Sequence, residues 1–401
     1  MAEGFPFAYS VFDFSMTFLG LILFVADVIL DVQLVVVLYK ENAYAFMGVV
    51  VFLLLASSLL VQLFSWLWFY YDSKSLEPHA KNCIRNEQII ATTHVLQLGI
   101  PLRYINMLDI WCRSNRGKNR YLECVAVYLT HDLSMLRLFE TFSESAPQLV
   151  LMTVITIHRN EFGFIPSLKA VGSAAAITFS VVTYHRAMRS FLPRKNQQGC
   201  GSSVVYFVWN LLLIGPRVAA LALFACVLPY YVAVHFIGLW LPLVLWAGLQ
   251  KTDFMDSLAG ERLYRAAIGL ILYFTWFNIA KGSSLGRSII YHAFIMADMG
   301  FLLGAWWYWQ KEQWDPRVIF SAVLLSYILG LVVKVFYYRY FHPKKTVPCT
   351  EVYQPQPLGD MVDFRSLPLV PESGHTRLSV QTAEVPPMVN KRMKHLAVNF
   401  Y

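Results

Sequence analysis

The residues best suited to do chemistry in this sequence are ionisable groups set inside long apolar runs. Asp27 and Asp31 stand four apart in one run, and Glu140 and Glu144 stand four apart in another, close to Asp132 and Arg137. Four-residue spacing puts both members of a pair on one helix face, so two acidic stripes are expected. His185 and Arg186, Arg217 beside Pro216, Asp298 and Lys334 add further charges, and pairing among them is expected. A charge at mid-bilayer depth costs about 2.5 to 3.5 kcal/mol on insertion scales, so each group must face protein, water or a ligand. Two readings follow. Either the groups pair across helices and hold a bundle together, or they line a polar route for an ion, a small solute or the headgroup of a lipid whose tails stay in hydrocarbon. Residue types and spacing leave those alternatives open.

Enzyme chemistry has little support. The sequence has no GxGxxG, P-loop or HExxH motif and no serine or cysteine triad signature, so no catalytic residue and no cofactor is expected. Cys83, Cys112, Cys124, Cys200, Cys226 and Cys349 show neither a CxxC pair nor metal-ligand spacing, and free thiols on a reducing side are expected. No metal site is expected either, since no EF-hand spacing or dense cytosolic acidic cluster supplies the six to eight oxygens that calcium takes. His158, His235 and His292 read as interfacial or bundle-satisfied histidines.

The elements that must position the charges follow from composition. Of 401 residues, 57% are hydrophobic and 14% charged, against roughly a quarter charged in soluble domains, so a bilayer is the natural solvent for the chain. Aromatics at 15% suit a protein with many water-lipid boundaries. Apolar runs near residues 15–38, 43–70, 133–158, 165–189, 204–228, 231–250, 289–309 and 317–340 are each long enough to cross, which predicts an all-α polytopic membrane protein with eight transmembrane helices. Two interrupted apolar stretches read as half-membrane, re-entrant helices: 89–112, with Gly99 and Pro101 at its middle, and 262–281, which ends in a Lys-Gly-Ser-Ser turn. The formal charge of +8 sits in short connecting segments and near the end of the chain, where it reads as a topology signal and not as a nucleic-acid surface. Lys and Arg after the second and fourth spans place those loops, and both termini, in the cytosol. The first residues are acidic and aromatic, so the first span is expected to act as the insertion signal, and no Asn-x-Ser/Thr sequon is present. The membrane domain, 1–341, then divides by hydropathy into two similar halves, about 1–195 and 200–341. Residues 342–401 are too polar to bury a core and read as a cytosolic tail. Within its end, Met393, Leu396 and Phe400 recur at helical spacing among basic residues, the pattern of a short amphipathic helix that wants a groove or a membrane surface.

The runs LSMLRLFETFSESAPQL (Leu133 to Leu149), TYHRAMRSFLP (Thr183 to Pro193) and GSSVVYFVWNLLLIGPRV (Gly201 to Val218) resemble the Xk-related family, as do LWLPLVLWAGLQKTDFM, ERLYRAAIGLILYFTWFN, the YY-x-x-FHP end of the last apolar run and the closing RMKHLAVNF. The resemblance covers nearly the whole membrane domain. It implies eight spans, two half-membrane helices, cytosolic termini and, among the members most like this chain, a plasma-membrane phospholipid scramblase switched on when an executioner caspase cuts its tail. It also implies a single-span immunoglobulin-type partner, basigin or neuroplastin. Phosphatidylserine and phosphatidylcholine would pass along a headgroup path carried by Asp27, Asp31, Asp132, Arg137, Glu140, Glu144, Arg186, Arg217 and Asp298. Where similar members place an acid before the Tyr-His-Arg motif this chain has Thr183, so Arg186 is expected to lack the partner that the family places there.

In the tail, Asp360-Met361-Val362-Asp363 fits a protease whose paired cationic pockets bind the first and fourth carboxylates, with cleavage after Asp363. A bare DxxD also arises by chance. A second match, Asp253 to Asp256, lies in a short loop that cannot easily extend into a protease cleft. Cleavage after Asp363 would remove Met393, Leu396 and Phe400 as an autoinhibitory plug.

Overall fold

A computed structural model describes residues 9–75, 87–117, 120–160, 163–190, 198–250, 252–279, 284–310 and 315–343. Among the described residues the chain is helical and contains no strand. The helices are α1 (Val11–Lys40), α2 (Tyr44–Ser75), α3 (Glu87–Val95), α4 (Gly99–Gly117), α5 (Arg120–Glu140), α6 (Ala146–His158), α7 (Phe164–Ser190), α8 (Cys200–Val227), α9 (Tyr231–Leu249), α10 (Leu258–Phe274), α11 (Leu285–Trp309) and α12 (Pro316–Phe336).

Six of these, α1, α2, α8, α9, α11 and α12, are long and apolar enough to cross a bilayer. The expected third and fourth spans take a different form. The run 133–158 is a rod of α5 and α6 joined by one π-helical turn, Thr141–Ser145, and α7 covers 165–189. Their polar and ionisable residues lower the mean hydropathy that marks the other six.

Local signals account for the ends. Ser10 caps α1 through a capping box with Asp13, and Asn42 at φ 57° turns the chain tightly into α2. The stretch expected to be interrupted at Gly99 and Pro101 breaks slightly earlier, at Leu96–Leu98, where Gln97 takes φ 64°. Pro101 does not break a helix but sits in the first turn of α4, where a missing N–H costs nothing. Gly99 allows a close approach there: its N–H donates to Gln62 Oε1 at 3.1 Å, and a Cβ would push against the Gln62 and His94 side chains. The second interrupted stretch is α10 followed by irregular backbone at 275–279.

The layers are ordered by burial. In α8, 67% of the most apolar window is enclosed by α6, α7, α11 and α12, whereas in α1 only 11% is, so α8 is the axis of the bundle and α1 faces outward. The main core runs from Phe64 and Trp68 through Phe139 and Phe142 to Leu213, Ile268 and Tyr337.

Candidate functional site

The expected charges gather into separate clusters, each at a junction of helices. The densest lies where α1 meets the π-helical turn. Asp27 and Asp31 on α1 face Glu144 on the turn, and the carboxylate oxygens of these three lie within 4.8 Å of one another. Asp31, Glu140 and Glu144 are buried, with 6%, 8% and 6% exposure. The one cation of the cluster is Arg137, which pairs with Glu140 one turn on and reaches Asp27 Oδ2 at 3.7 Å. Its guanidinium lies over the Phe24 ring. Ser145 Oγ donates to Asp27 at 3.4 Å and Gln148 Nε2 to Asp31 at 2.7 Å, while Ser143 and Ser57 hydroxyls bond across to α2. A π turn adds one residue to the helical repeat and is frequent at functional sites. Here it lines up Glu144, Ser145 and Gln148 against α1. The two acidic stripes expected from spacing therefore oppose each other, four carboxylates around one guanidinium. Among the described residues this is the group whose ligand atoms converge enough to hold a metal ion, although three side chains supply only part of the shell a calcium ion takes.

Asp132 does not join that cluster. It pairs with Arg103 of α4 at 3.4 Å, both side chains being almost fully enclosed. Arg103 also donates from Nε to Ser65 Oγ at 2.9 Å and stacks over Phe69, and Ser65 meets His94 Nε2 at 2.8 Å. Arg103 thus joins α2 and α4 to α5, a role its place among the basic topology residues did not suggest.

Arg186 is not left without a partner. Its Nη2 meets Asp13 Oδ1 at 2.7 Å, its Nη1 donates to Ser203 Oγ at 2.8 Å and to the Gln198 carbonyl, and the group lies over Phe12. The acid missing at Thr183 is supplied from the first turn of α1, and Thr183 Oγ1 instead donates to Phe179 O of its own helix.

Arg217 and Asp298 pair at 2.5 Å, with His235 Nε2 3.0 Å from the same carboxylate. Arg217 Nε donates to Tyr273 O at 3.1 Å and Tyr291 OH to Leu272 O at 2.7 Å. Helix α10 ends inside the bundle, where its last carbonyls have no water, and these side chains satisfy them.

Lys334, expected to find an acid, has neutral partners instead. Buried at 7% exposure, its Nζ meets Ser288 Oγ at 2.8 Å and His292 Nε2 at 2.7 Å and faces the Trp209 and Trp276 rings. His292 in turn meets Tyr327 OH, and His158 meets a backbone carbonyl of its own helix, as expected of bundle-satisfied histidines. The thiols of Cys112, Cys200 and Cys226 are free.

In the Asp253–Asp256 loop, Phe254 and Met255 are buried and both backbone N–H groups donate to Glu261 Oε2 at 2.8 Å, so that match is locked down. Asp360, Asp363, Met393, Leu396 and Phe400 lie outside the described residues.

Comparison with known proteins places the chain in a family. A family described as XK-related protein matches residues 15–343. The chain is 42% identical to XK-related protein 8 of Tetraodon nigroviridis, over 98% of this chain and 97% of that one. It is 41% identical to the protein of the same name from Gasterosteus aculeatus, over 100% and 99%, and 37% identical to that of Pan troglodytes, over 97% and 94%. With the match covering the first apolar helix to the end of the last, the chain is a member of the XK-related family.

Proposed function

We propose that this protein is a phospholipid scramblase of the plasma membrane, an energy-independent lipid transporter and not an enzyme, activated when an executioner caspase cuts its tail in apoptosis. The observation that carries the reading is the cluster of Asp27, Asp31, Glu140 and Glu144 around Arg137. Its carboxylates complement the amine of a choline, ethanolamine or serine headgroup, and its guanidinium complements the phosphate. Ionisable groups held at membrane depth are costly and mark the paths of ions or substrates, which supports the reading. Asp132 with Arg103, Arg186 with Asp13 and Arg217 with Asp298 are further charge pairs, enclosed in separate clusters, on which such a route would draw.

On this reading the α5–α6 rod and α7 cross with the six apolar helices to make eight spans. The α3–α4 and α10 segments are half-membrane helices, and both termini are cytosolic. The resemblance carried by the sequence motifs supports phosphatidylserine exposure and escort by basigin or neuroplastin, and the Asp360 to Asp363 tetrapeptide supports cleavage after Asp363.

The test is reconstitution of purified protein in vesicles carrying a fluorescent lipid, before and after caspase, with ion flux measured in parallel. Lipid exchange after cleavage is expected, and Glu144→Gln is expected to slow it severalfold while the thermal melt stays unchanged. Ion flux without lipid exchange would establish the channel reading instead.

A further inference from the structure

Apart from the charge clusters, the molecule carries a groove of about 480 Å³ between α9 and α10, lined by Val244, Leu245, Gly248, Leu249, Arg262 and Arg265. One wall is apolar and turned outward, with Leu245 and Leu249 68% and 80% exposed. The other wall is a pair of guanidinium groups one turn apart on α10. The two helices touch closely at Gly269, where a Cβ would lie 2.5 Å from Val244 and the Trp240 indole donates to Ala266 O. Toward the other end of the pair, Gly248 leaves room and the arginines hold the wall.

Among the described residues the two arginines keep donors free on the groove side. Arg265 is fixed by Nε to Thr252 Oγ1 at 2.9 Å and Nη2 to Thr252 O at 3.0 Å, with Glu261 at 3.5 Å. Its Nη1 makes none of these bonds and lies 3.7 Å from where a Cβ at Gly248 would stand, on the groove. Glu261 is buried and spends its other oxygen on the Phe254 and Met255 amides, so it offsets Arg265 only in part. Arg262 is exposed and, among the described residues, forms no hydrogen bond or ion pair.

We propose that this groove binds an anionic phospholipid from the surrounding leaflet, with its phosphate on Arg262 and Arg265 and an acyl chain along Val244, Leu245 and Leu249. Guanidinium pairs bind phosphate in a fixed, two-pronged geometry, and the ordering of Arg265 is already met within the fold. A zwitterionic lipid gains less, because its amine faces the same two cations. The basic end of this chain, with Lys391, Arg392 and Lys394, is excluded as occupant by like charge. Placing the groove at the inner leaflet, where anionic lipids concentrate, rests on the proposed topology; the groove itself does not.

The test is native mass spectrometry of the purified full chain with dioleoyl phosphatidic acid and dioleoyl phosphatidylcholine. Phosphatidic acid is expected to be retained over phosphatidylcholine. Arg262→Ala should lower its retention about fivefold, as expected of one basic residue near anionic lipid, and Arg262→Glu should lower it further. Gly248→Phe, which fills the groove and leaves both cations, should also lower it, and glycerol 3-phosphate should not compete at equal concentration. Equal retention of the two lipids, or retention unchanged in both Arg262→Ala and Gly248→Phe with an unaltered thermal melt, overturns the site. So does binding that appears only after residues 364–401 are removed, which would make the tail the occupant. The readout needs no lipid movement, so a chain that scrambles nothing yet retains phosphatidic acid in this pattern keeps the site and loses only the proposed activity.

Discussion

Arg217 has no exposed surface, and its bonds to Asp298 and the Tyr273 carbonyl serve an ion pair and a helix end together. Arg217→Ala should therefore cost about 3–5 kcal/mol, because it leaves a buried carboxylate and an orphan carbonyl behind. Differential scanning fluorimetry in detergent checks this, and Arg217→Met combined with Asp298→Asn should recover part of the loss. Lys334 predicts the opposite sign. With only Ser288, His292 and two indoles about it, it holds a charge that no carboxylate among its bonded partners offsets. Lys334→Met keeps the volume and removes the charge, so the melt should stay level or rise, by about 1–2 kcal/mol at most; a large fall would show that the ammonium is needed. These cases also mark what the chain could disclose beforehand. The four acids around Arg137 were legible because helical spacing and apolar surroundings are both local properties of sequence. The partner of Arg186 was not, since Asp13 is separated from it by 173 residues and sits in a first turn, ahead of the apolar run that announces α1. Arg103 was likewise misplaced, since a basic residue in a connecting segment satisfies a topology rule whether or not it turns inward.

At the scale of elements, breaks were easier to foresee than their mechanism. Gly99 and Pro101 flagged the division between α3 and α4, yet the chain turns at Gln97, and the glycine just after it allows a close approach to Gln62. The π turn in the α5–α6 rod left no mark in the periodicity, because one extra residue shifts a face without removing it. Close helix packing makes a sharper prediction. Gly330 on α12 lies against α8, where a Cβ would stand 3.1 Å from the Leu212 carbonyl carbon and 2.8 Å from a Leu213 methyl. Bilayer helices associate through such small-residue contacts, having no hydrophobic drive between them. Gly330→Val should cost about 1–3 kcal/mol by overpacking, whereas Gly300→Ala and Gly304→Ala on α11, where nothing lies within 4 Å of a Cβ, should be neutral or slightly stabilising. Comparable melts for all three would show that α8 and α12 can separate freely.

Across the whole molecule, two ion pairs each tie a long apolar helix to a helix far along the chain, with their signs exchanged. In one an acid on α1, Asp27, meets Arg137 on α5; in the other, Arg217 on α8 meets Asp298 on α11. Neither pair was legible in the sequence, because its members lie far apart along the chain. On the proposed function the full chain is held inactive, and the proposed holder is the segment after Asp363. If Met393, Leu396 and Phe400 plug the cytosolic face, removing them should shift the bundle toward its conducting form without any added ligand. A chain ending at Asp363 should therefore exchange lipid in vesicles without caspase. The full chain should do so only after cleavage, and Asp363→Ala should abolish phosphatidylserine exposure in cells driven into apoptosis while leaving the protein at the surface. Surface labelling with a phosphatidylserine-binding probe reads the last of these. Normal exposure in the Asp363→Ala variant would move the switch elsewhere in the chain, and a truncated chain that stays silent in vesicles would mean that cleavage acts through a partner and not by lifting a plug.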